Sequence, residues 1–112
     1  MPQEKLNAIL MQISAEAHAL FDKKLASVIL FGSYARGDYD AESDVDIALL
    51  LHCDREEIRN YMDKLASIAT DISLESSLVV SFVCIPYQDY IKWLPTLPFY
   101  QNIEREGVRI SA

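Results

Sequence analysis

The stretch that decides the fold runs from Leu25 to Leu51 and reads LASVILF-GSYARG-DYDAES-DVDIALLL. An apolar run stands at each end, and the two runs predict buried strands at Leu25–Phe31 and Val45–Leu51. The connection between them is too short for a full crossover, so we expect the strands to be antiparallel. It leaves room for about one helical turn, for which Ser33 is a plausible N-cap and Gly37 a plausible stop.

Two carboxylates stand at the end of this connection. Asp44 and Asp46 are alternate residues at the start of a strand, so they share one face with their backbones about 6.5 Å apart. At about 4 Å two such charges repel by about 4 kcal/mol at an effective dielectric of 20, and a cation between them removes that cost. Magnesium is suited to such a site, because it takes oxygen ligands and shares one or two carboxylates with substrate phosphates. Taken alone, the pair is also typical of solvated residues beside a strand.

A glycine and a serine stand at the beginning of the connection. Gly32 has no side chain, so backbone can approach a ligand closely, and the first amides of a helical turn at Ser33 favour anions. The alternative is an ordinary turn from a strand to a helix. Arg36 lies one turn later and either reaches a phosphate or pairs with an acidic neighbour, namely Asp38, Asp40 or Glu42. Together, the turn and the carboxylates point to nucleotide chemistry.

Length and composition limit the classes of protein to which the chain can belong. Its 112 residues favour a single domain over 1–112, and 51% of them are apolar, as in globular proteins. The net charge of −7 argues against long nucleic acids as partners. The longest apolar run, Ile47–Leu51, is too short for a membrane span, and the N-terminal segment lacks the pattern of a secretion signal. Because Cys53 and Cys84 resemble buried thiols of a reduced compartment, we expect a cytoplasmic protein.

The remaining apolar patterns complete the predicted fold. Apolar residues recur at helical spacing over 3–22, 54–69, 87–94 and 99–106, and two more strands are predicted over 78–85 and 108–110. Asp54 and Glu57 resemble a capping box, and Gly107 stands where a left-handed residue usually ends a helix. The strand at 78–85 follows Val45–Leu51 through a helix and should be parallel to it. The fold class is α/β (α+β), a small mixed sheet flanked by helices.

The motifs resemble those of a known superfamily. Gly32-Ser33, ten intervening residues and Asp44-Val45-Asp46 are similar to the signature of the DNA polymerase β-like nucleotidyltransferases. More closely, GSYARG with SDVDIALL resembles the minimal nucleotidyltransferases (MNT), which are often encoded beside HEPN-domain proteins, and the resemblance covers nearly the whole chain. It implies that Gly32 and Ser33 hold the triphosphate of a nucleotide and that Asp44 and Asp46 bind one or two Mg²⁺ ions. An acceptor hydroxyl would then attack the α-phosphorus, and pyrophosphate would leave.

The resemblance also implies a biological role. It predicts transfer of AMP from ATP to a protein hydroxyl on a HEPN-type toxin, with this chain as the antitoxin. The sequence leaves open whether the protein forms a homo- or hetero-oligomer. Active members usually carry a third acidic residue on the third strand, where this chain has Ser81. Glu75 just before that strand is a candidate replacement, and Asp71 is another that lies farther back along the chain. The alternative is a weak or inactive module that neutralises or regulates a partner by binding.

Aromatic residues are concentrated in the C-terminal third. Five of them lie within fourteen residues: Tyr87, Tyr90, Trp93, Phe99 and Tyr100. They predict either a satellite core packed over the edge of the sheet or a face that binds a protein partner, since aromatics are enriched in such faces. A partner that holds the acceptor would compensate for the absence of space for an added domain.

Overall fold

The computed structural model describes residues 3–111, in which four strands form one mixed sheet. The strands are β1 (Leu25–Phe31), β2 (Val45–Leu51), β3 (Val80–Pro86) and β4 (Val108–Ser111), in the order β3-β2-β1-β4. β1 is antiparallel to β2 and to β4, and β2 is parallel to β3. The predicted fold class and both predicted pairing directions are therefore confirmed.

Six α-helices lie in the described range and pack on the sheet. They are α1 (Gln3–Phe21), α2 (Ser33–Arg36), α3 (Arg55–Arg59), α4 (Met62–Ser76), α5 (Tyr87–Trp93) and α6 (Pro98–Glu106), and a 3₁₀ turn over Asp22–Lys24 joins α1 to β1. No helix within residues 3–111 is both long enough and apolar enough to cross a membrane. The helix predicted over 54–69 is in fact two helices, α3 and α4.

The break between α3 and α4 lies at Asn60 and Tyr61. The amides of Asn60 and Tyr61 donate to carbonyls three residues back, at 3.0 and 2.9 Å, which tightens the chain out of the α-helical repeat. The ring of Tyr61 packs against Phe21 with 4.7 Å between ring centroids. Asp54 does cap α3, because its side chain accepts the amide of Glu57 at 2.8 Å. The side chain of Glu57 pairs instead with Lys24.

The sheet separates two cores, and the alternation of side chains along the strands assigns each residue to one of them. The first face packs against α1, α3 and α4 and includes Ile47 and Leu49 of β2. The second face packs against α5 and α6 and includes Ala48 and Leu50. Because strand residues alternate between faces, Asp46 lies on the second face with Ala48 and Leu50. The α5–α6 side of the sheet therefore carries the motif carboxylate of β2.

The aromatic residues of the C-terminal third are partly buried and partly exposed. Tyr90 and Tyr100 are buried in the second core with Ile103. Trp93 and Phe99 remain 45% and 47% exposed. The segment thus builds a satellite core and also presents aromatic surface to solvent.

The prediction for Gly107 is wrong. Its φ of −69° and ψ of 149° are extended and not left-handed. A glycine is needed there for space, because a Cβ would overlap with the carbonyl oxygen of Ile103 and would lie 2.5 Å from Cγ2 of Ile29. The close packing of α6 on β1 therefore selects glycine at this position.

The strand β3 and the two cysteines differ slightly from expectation. β3 begins at Val80 and not at Leu78, since the amide of Leu78 donates to Oγ of Ser76 at 3.2 Å. Cys53 and Cys84 are free thiols, as expected, but they are half-buried rather than fully buried. Burial raises the pKa of Cys84 to about 11, so this thiol is protonated at neutral pH.

Candidate active site

The turn after β1 begins at a glycine whose backbone conformation other residues avoid. Gly32 has a φ of +76° and a ψ of −156°, and its carbonyl oxygen accepts the amides of Ala35 and Arg36, each at 3.1 Å. Gly32 is therefore the N-cap of α2, and Ser33, predicted as the cap, is instead the first helical residue. Gly37 ends the helix in the left-handed conformation, with a φ of +88°, as predicted. The first amides of such a turn have no acceptor within the helix.

The loop that returns to β2 is held by its own hydrogen bonds. Oδ1 of Asp40 accepts the Ser43 hydroxyl at 3.2 Å and the Glu42 amide at 2.9 Å. The rings of Tyr34 and Tyr39 stack with 4.3 Å between centroids and an interplanar angle of 11°. These contacts fix the loop on both sides, so the start of β2 and Asp44 have a defined position.

Gly32 and Asp46 lie against each other. Asp46 is the cross-strand partner of Phe31, the residue that precedes Gly32. A Cβ on Gly32 would overlap with Oδ2 of Asp46 and would lie 3.3 Å from its Cγ. The absence of a side chain at position 32 is therefore what lets the second carboxylate of the motif reach the turn. The structure thus brings together the two ends of the connection that the sequence singled out.

The carboxylates of Asp44 and Asp46 interact electrostatically. Asp46 is half-buried and Asp44 is exposed. Burial raises the pKa of the Asp46 carboxyl, the charge of Asp44 raises it further, and the charge of Arg36 lowers it in part. Burial, followed by the charges of Tyr39, Asp40 and Asp44, also raises the pKa of the Tyr34 hydroxyl. The site is therefore a region of excess negative potential, which a divalent cation would neutralise.

Arg36 is engaged by two acidic residues. Its Nε lies 3.1 Å from Oδ2 of Asp38, and its Nη1 lies 3.4 Å from Oε2 of Glu106. Of the neighbours considered from the sequence, Asp38 is the one that Arg36 contacts. Glu106 comes from α6, 70 residues along the chain, and no local pattern indicated it. Arg36 therefore links the motif turn to α6.

The third strand places a hydroxyl, and not a carboxylate, beside the motif. Ser81 is the partner of Asp46 in the parallel pairing of β2 with β3, and paired residues point to the same face. Glu75 and Asp71 lie on the exposed surface of α4, so Glu75 is part of a helix and not of the segment just before the strand. Within residues 3–111, no three side chains of the His, Cys, Asp and Glu types are grouped to hold a metal ion.

The donor set nevertheless fits magnesium. Asp44 and Asp46 offer two carboxylates whose charges interact. Mg²⁺ commonly takes one or two protein carboxylates and fills its other positions with water and substrate phosphates. The residues present suit a cation that arrives with a nucleotide better than one held by the protein alone.

The comparison with protein families agrees with this geometry. The sequence model of the nucleotidyltransferase domain family matches residues 10–110 of this chain. This chain belongs to the nucleotidyltransferase domain family. A relative in Methanocaldococcus jannaschii, named "Putative protein adenylyltransferase MJ0141", is 35% identical over 104 residues, which are 91% of this chain and 95% of the relative. The family expected from the sequence motifs is therefore confirmed.

Two solved structures have the same fold as this nucleotidyltransferase. One is described as a toxin-antitoxin with AMP-PNP, with a TM-score of 0.59, 22% identity, and coverage of 89% of this chain and 70% of that chain. The other is a mutant of the toxin-antitoxin MntA-HpeT, with a TM-score of 0.59, 20% identity and the same two coverages. At these identities the likeness concerns the fold, and it confirms the expected nucleotidyltransferase architecture.

Proposed function

We propose that this protein transfers AMP from ATP to a hydroxyl group of a partner protein, and that the partner is a HEPN-type toxin which the modification silences. The observation that carries the proposal is the contact of Gly32 with Asp46, since it joins an anion-binding turn to a carboxylate pair. Gly32 and Ser33 hold the phosphates, and Asp44 and Asp46 hold the accompanying Mg²⁺. The protein is then the antitoxin of a two-component system.

The proposed reaction is a substitution at the α-phosphorus of ATP. The acceptor oxygen forms a bond to that phosphorus, the bond to the oxygen that bridges the α- and β-phosphorus breaks, and pyrophosphate leaves with that oxygen. The hydroxyl proton passes to solvent. When bound, Mg²⁺ neutralises charge that develops on the phosphates. The residues of the chain contribute position: amides of the Gly32–Ser33 turn orient the phosphates, and Asp44 and the half-buried Asp46 would hold the cation beside them.

Three further observations support this choice of reaction and partner. The relative MJ0141 is named as a protein adenylyltransferase, and the similar solved structures are described as toxin-antitoxin assemblies, one of them with AMP-PNP. The net charge of −7 does not favour a nucleic acid as the acceptor. The exposed Trp93 offers aromatic surface of the kind that protein interfaces use.

A second candidate function rests on Ser81. A hydroxyl beside Asp46 cannot supply the charge of a third carboxylate, and Glu75 lies on the exposed surface of α4. The chain would then bind magnesium–ATP or its partner without efficient turnover and would neutralise the partner by contact alone. The two candidates differ in whether the partner changes mass.

The test combines mass spectrometry with a growth assay. The protein is incubated with a HEPN-domain protein that it binds, ATP and MgCl₂, and the mass of that partner is measured. We expect a mass increase of one adenylyl group, which is lost in the double variant Asp44→Asn with Asp46→Asn. The variant Glu75→Gln serves as a matched control and should retain full activity, because its carboxylate lies on the surface of α4.

The outcomes separate the candidates. An unmodified partner that nevertheless binds this protein would contradict the enzyme and support the binding module. In cells, the double variant should fail to suppress the toxicity of the partner if transfer is required. Continued suppression would show that catalysis is dispensable.

A further inference from the structure

The floor of the candidate site consists of three side chains in a row across the sheet. Phe31 of β1 pairs with Asp46 of β2, and Asp46 pairs with Ser81 of β3. Directly paired residues share a face, and Phe31 packs against the second core, as the α5–α6 face requires. An aromatic ring, a carboxylate and a hydroxyl therefore lie side by side at the end of the sheet where the Gly32 turn begins.

A second aromatic ring covers the first and remains open to solvent. Phe99, in the first turn of α6, meets Phe31 edge to face, with 5.8 Å between ring centroids and 79° between ring planes. Nearly half of Phe99, 47%, is exposed. Its neighbour Tyr100 is buried in the second core, so the first turn of α6 is fixed at this place. An accessible aromatic side chain thus contacts Phe31, the residue that precedes the turn and pairs with Asp46.

The other aromatic pair near the turn, Tyr34 and Tyr39, is not available to a ligand in the same way, because the two rings stack on each other. Tyr34 is buried on the opposite face, in the first core, and its ring is stacked on Tyr39 at 4.3 Å. Trp93, the other exposed aromatic of the C-terminal segment, has Lys92 over its ring at 5.1 Å from the centroid. Phe99 is therefore the side chain that combines exposure with contact to the row containing Asp46.

We propose that Phe99, supported from behind by Phe31, is the stacking platform for the nucleobase of the bound nucleotide. The assignment rests on the proposed function, because it requires phosphates on the Gly32–Ser33 turn. A base attached to those phosphates through one ribose lies within reach of a ring that contacts Phe31, the residue before the turn. Stacking on an aromatic ring tolerates every base, and its strength follows the size of the stacked surface. The platform therefore selects purine over pyrimidine nucleotides without reading hydrogen-bonding groups.

Calorimetric titrations with Mg²⁺ present test this assignment, with ATP, UTP and inorganic tripolyphosphate as the probes. Since removing a stacking ring typically weakens binding by tenfold or more, Phe99→Ala should reduce ATP affinity about tenfold. It should leave tripolyphosphate affinity unchanged and remove most of the preference for ATP over UTP. Phe99→Tyr should retain ATP affinity, because it keeps the ring. Trp93→Ala is the matched control for an exposed aromatic and should bind ATP as the wild type does.

The results distinguish this inference from the proposed function. If the wild type binds neither ATP nor tripolyphosphate, both are overturned. If the wild type binds ATP and Phe99→Ala binds it equally well, only the platform is overturned. Loss of adenylyl transfer with unchanged ATP affinity in Phe99→Ala would assign the ring to the acceptor and would also overturn the platform. Thermal denaturation of Phe99→Ala confirms its fold, and an equal loss of ATP and tripolyphosphate affinity would identify a structural effect and refute base stacking.

Discussion

The contact of Gly32 with Asp46 makes position 32 the position of the site that is most sensitive to substitution. In Gly32→Ala the new methyl group would overlap with Oδ2 of Asp46 and would lie 3.3 Å from its Cγ. The backbone there, with a φ of +76° and a ψ of −156°, is also a conformation that alanine avoids. The substitution therefore combines backbone strain with displacement of a motif carboxylate.

Two comparisons separate these effects. Gly37 also has a positive φ, +88°, but a Cβ there meets nothing within 4 Å. Gly37→Ala should therefore lose about 1–2 kcal/mol of unfolding free energy from backbone strain alone. Gly32→Ala should lose about 1–3 kcal/mol from its backbone and about 1–2 kcal/mol more from the overlap. Adding Asp46→Ala to Gly32→Ala should restore the unfolding free energy lost through the overlap. The Cβ of residue 46 would then lie 3.5 Å from the new Cβ of residue 32, which is an ordinary contact.

Urea unfolding at neutral pH gives the four free energies of this double-mutant cycle, and calorimetry with magnesium–ATP gives the binding. We expect a coupling energy of about 1–2 kcal/mol between positions 32 and 46. Magnesium–ATP binding should be lost in Gly32→Ala and retained in Gly37→Ala. A coupling energy near zero, or equal binding by the two alanine variants, would refute the convergence of the turn and the carboxylate.

Three other expectations follow from single residues. Asp46→Asn should stabilise the protein at pH 7 without divalent cations, because burial and the charge of Asp44 raise the pKa of Asp46 in the folded state above 3.8. In urea unfolding experiments, the gain in unfolding free energy should shrink as the pH falls through that folded-state pKa. A gain that is the same at every pH would contradict the charge argument. Ser77→Gly should raise the unfolding free energy by about 0.5–1 kcal/mol, because Ser77 ends α4 with a φ of +63°. Thermal unfolding should therefore show a higher midpoint, and an unchanged midpoint would show that there is no strain at this position. Tyr90→Phe should lower the unfolding free energy measured in urea by about 1 kcal/mol, because it removes the 2.8 Å hydrogen bond that the tyrosine hydroxyl donates to Glu104. Glu104→Gln should lower the unfolding free energy by less, because the amide oxygen still accepts this hydrogen bond. Equal losses in the two variants would argue against the hydrogen bond.

Several elements were predictable because their causes are local. The strands Leu25–Phe31 and Val45–Leu51 have the predicted bounds, since short runs of mainly apolar residues between polar segments favour strands buried on both faces. The left-handed stop at Gly37 and the Asp54 cap depend only on neighbouring residues, and both are present. The short connection between the first two strands also determined their antiparallel pairing.

Other features were missed because they depend on contacts between distant segments. The break at Asn60 coincides with packing of Tyr61 on Phe21, and Gly107 is required by the closeness of α6 to Ile29. The spacing of apolar residues along one helix predicts neither of these contacts, because each contact joins two separate segments. Glu106 could be found as a partner of Arg36 only by placing α6 beside the motif turn.

For this nucleotidyltransferase, the sequence by itself determined the mixed sheet, the two ends of the motif loop and the family to which the chain belongs, because periodicity, chain length and residue chemistry are local properties. Only the tertiary structure decided that Asp46 touches Gly32, that Ser81 lies beside Asp46, and that Phe99 stands over Phe31. Those arrangements follow from strand register and helix docking, which are determined jointly by many burial contacts across the whole chain and not by any one segment of it.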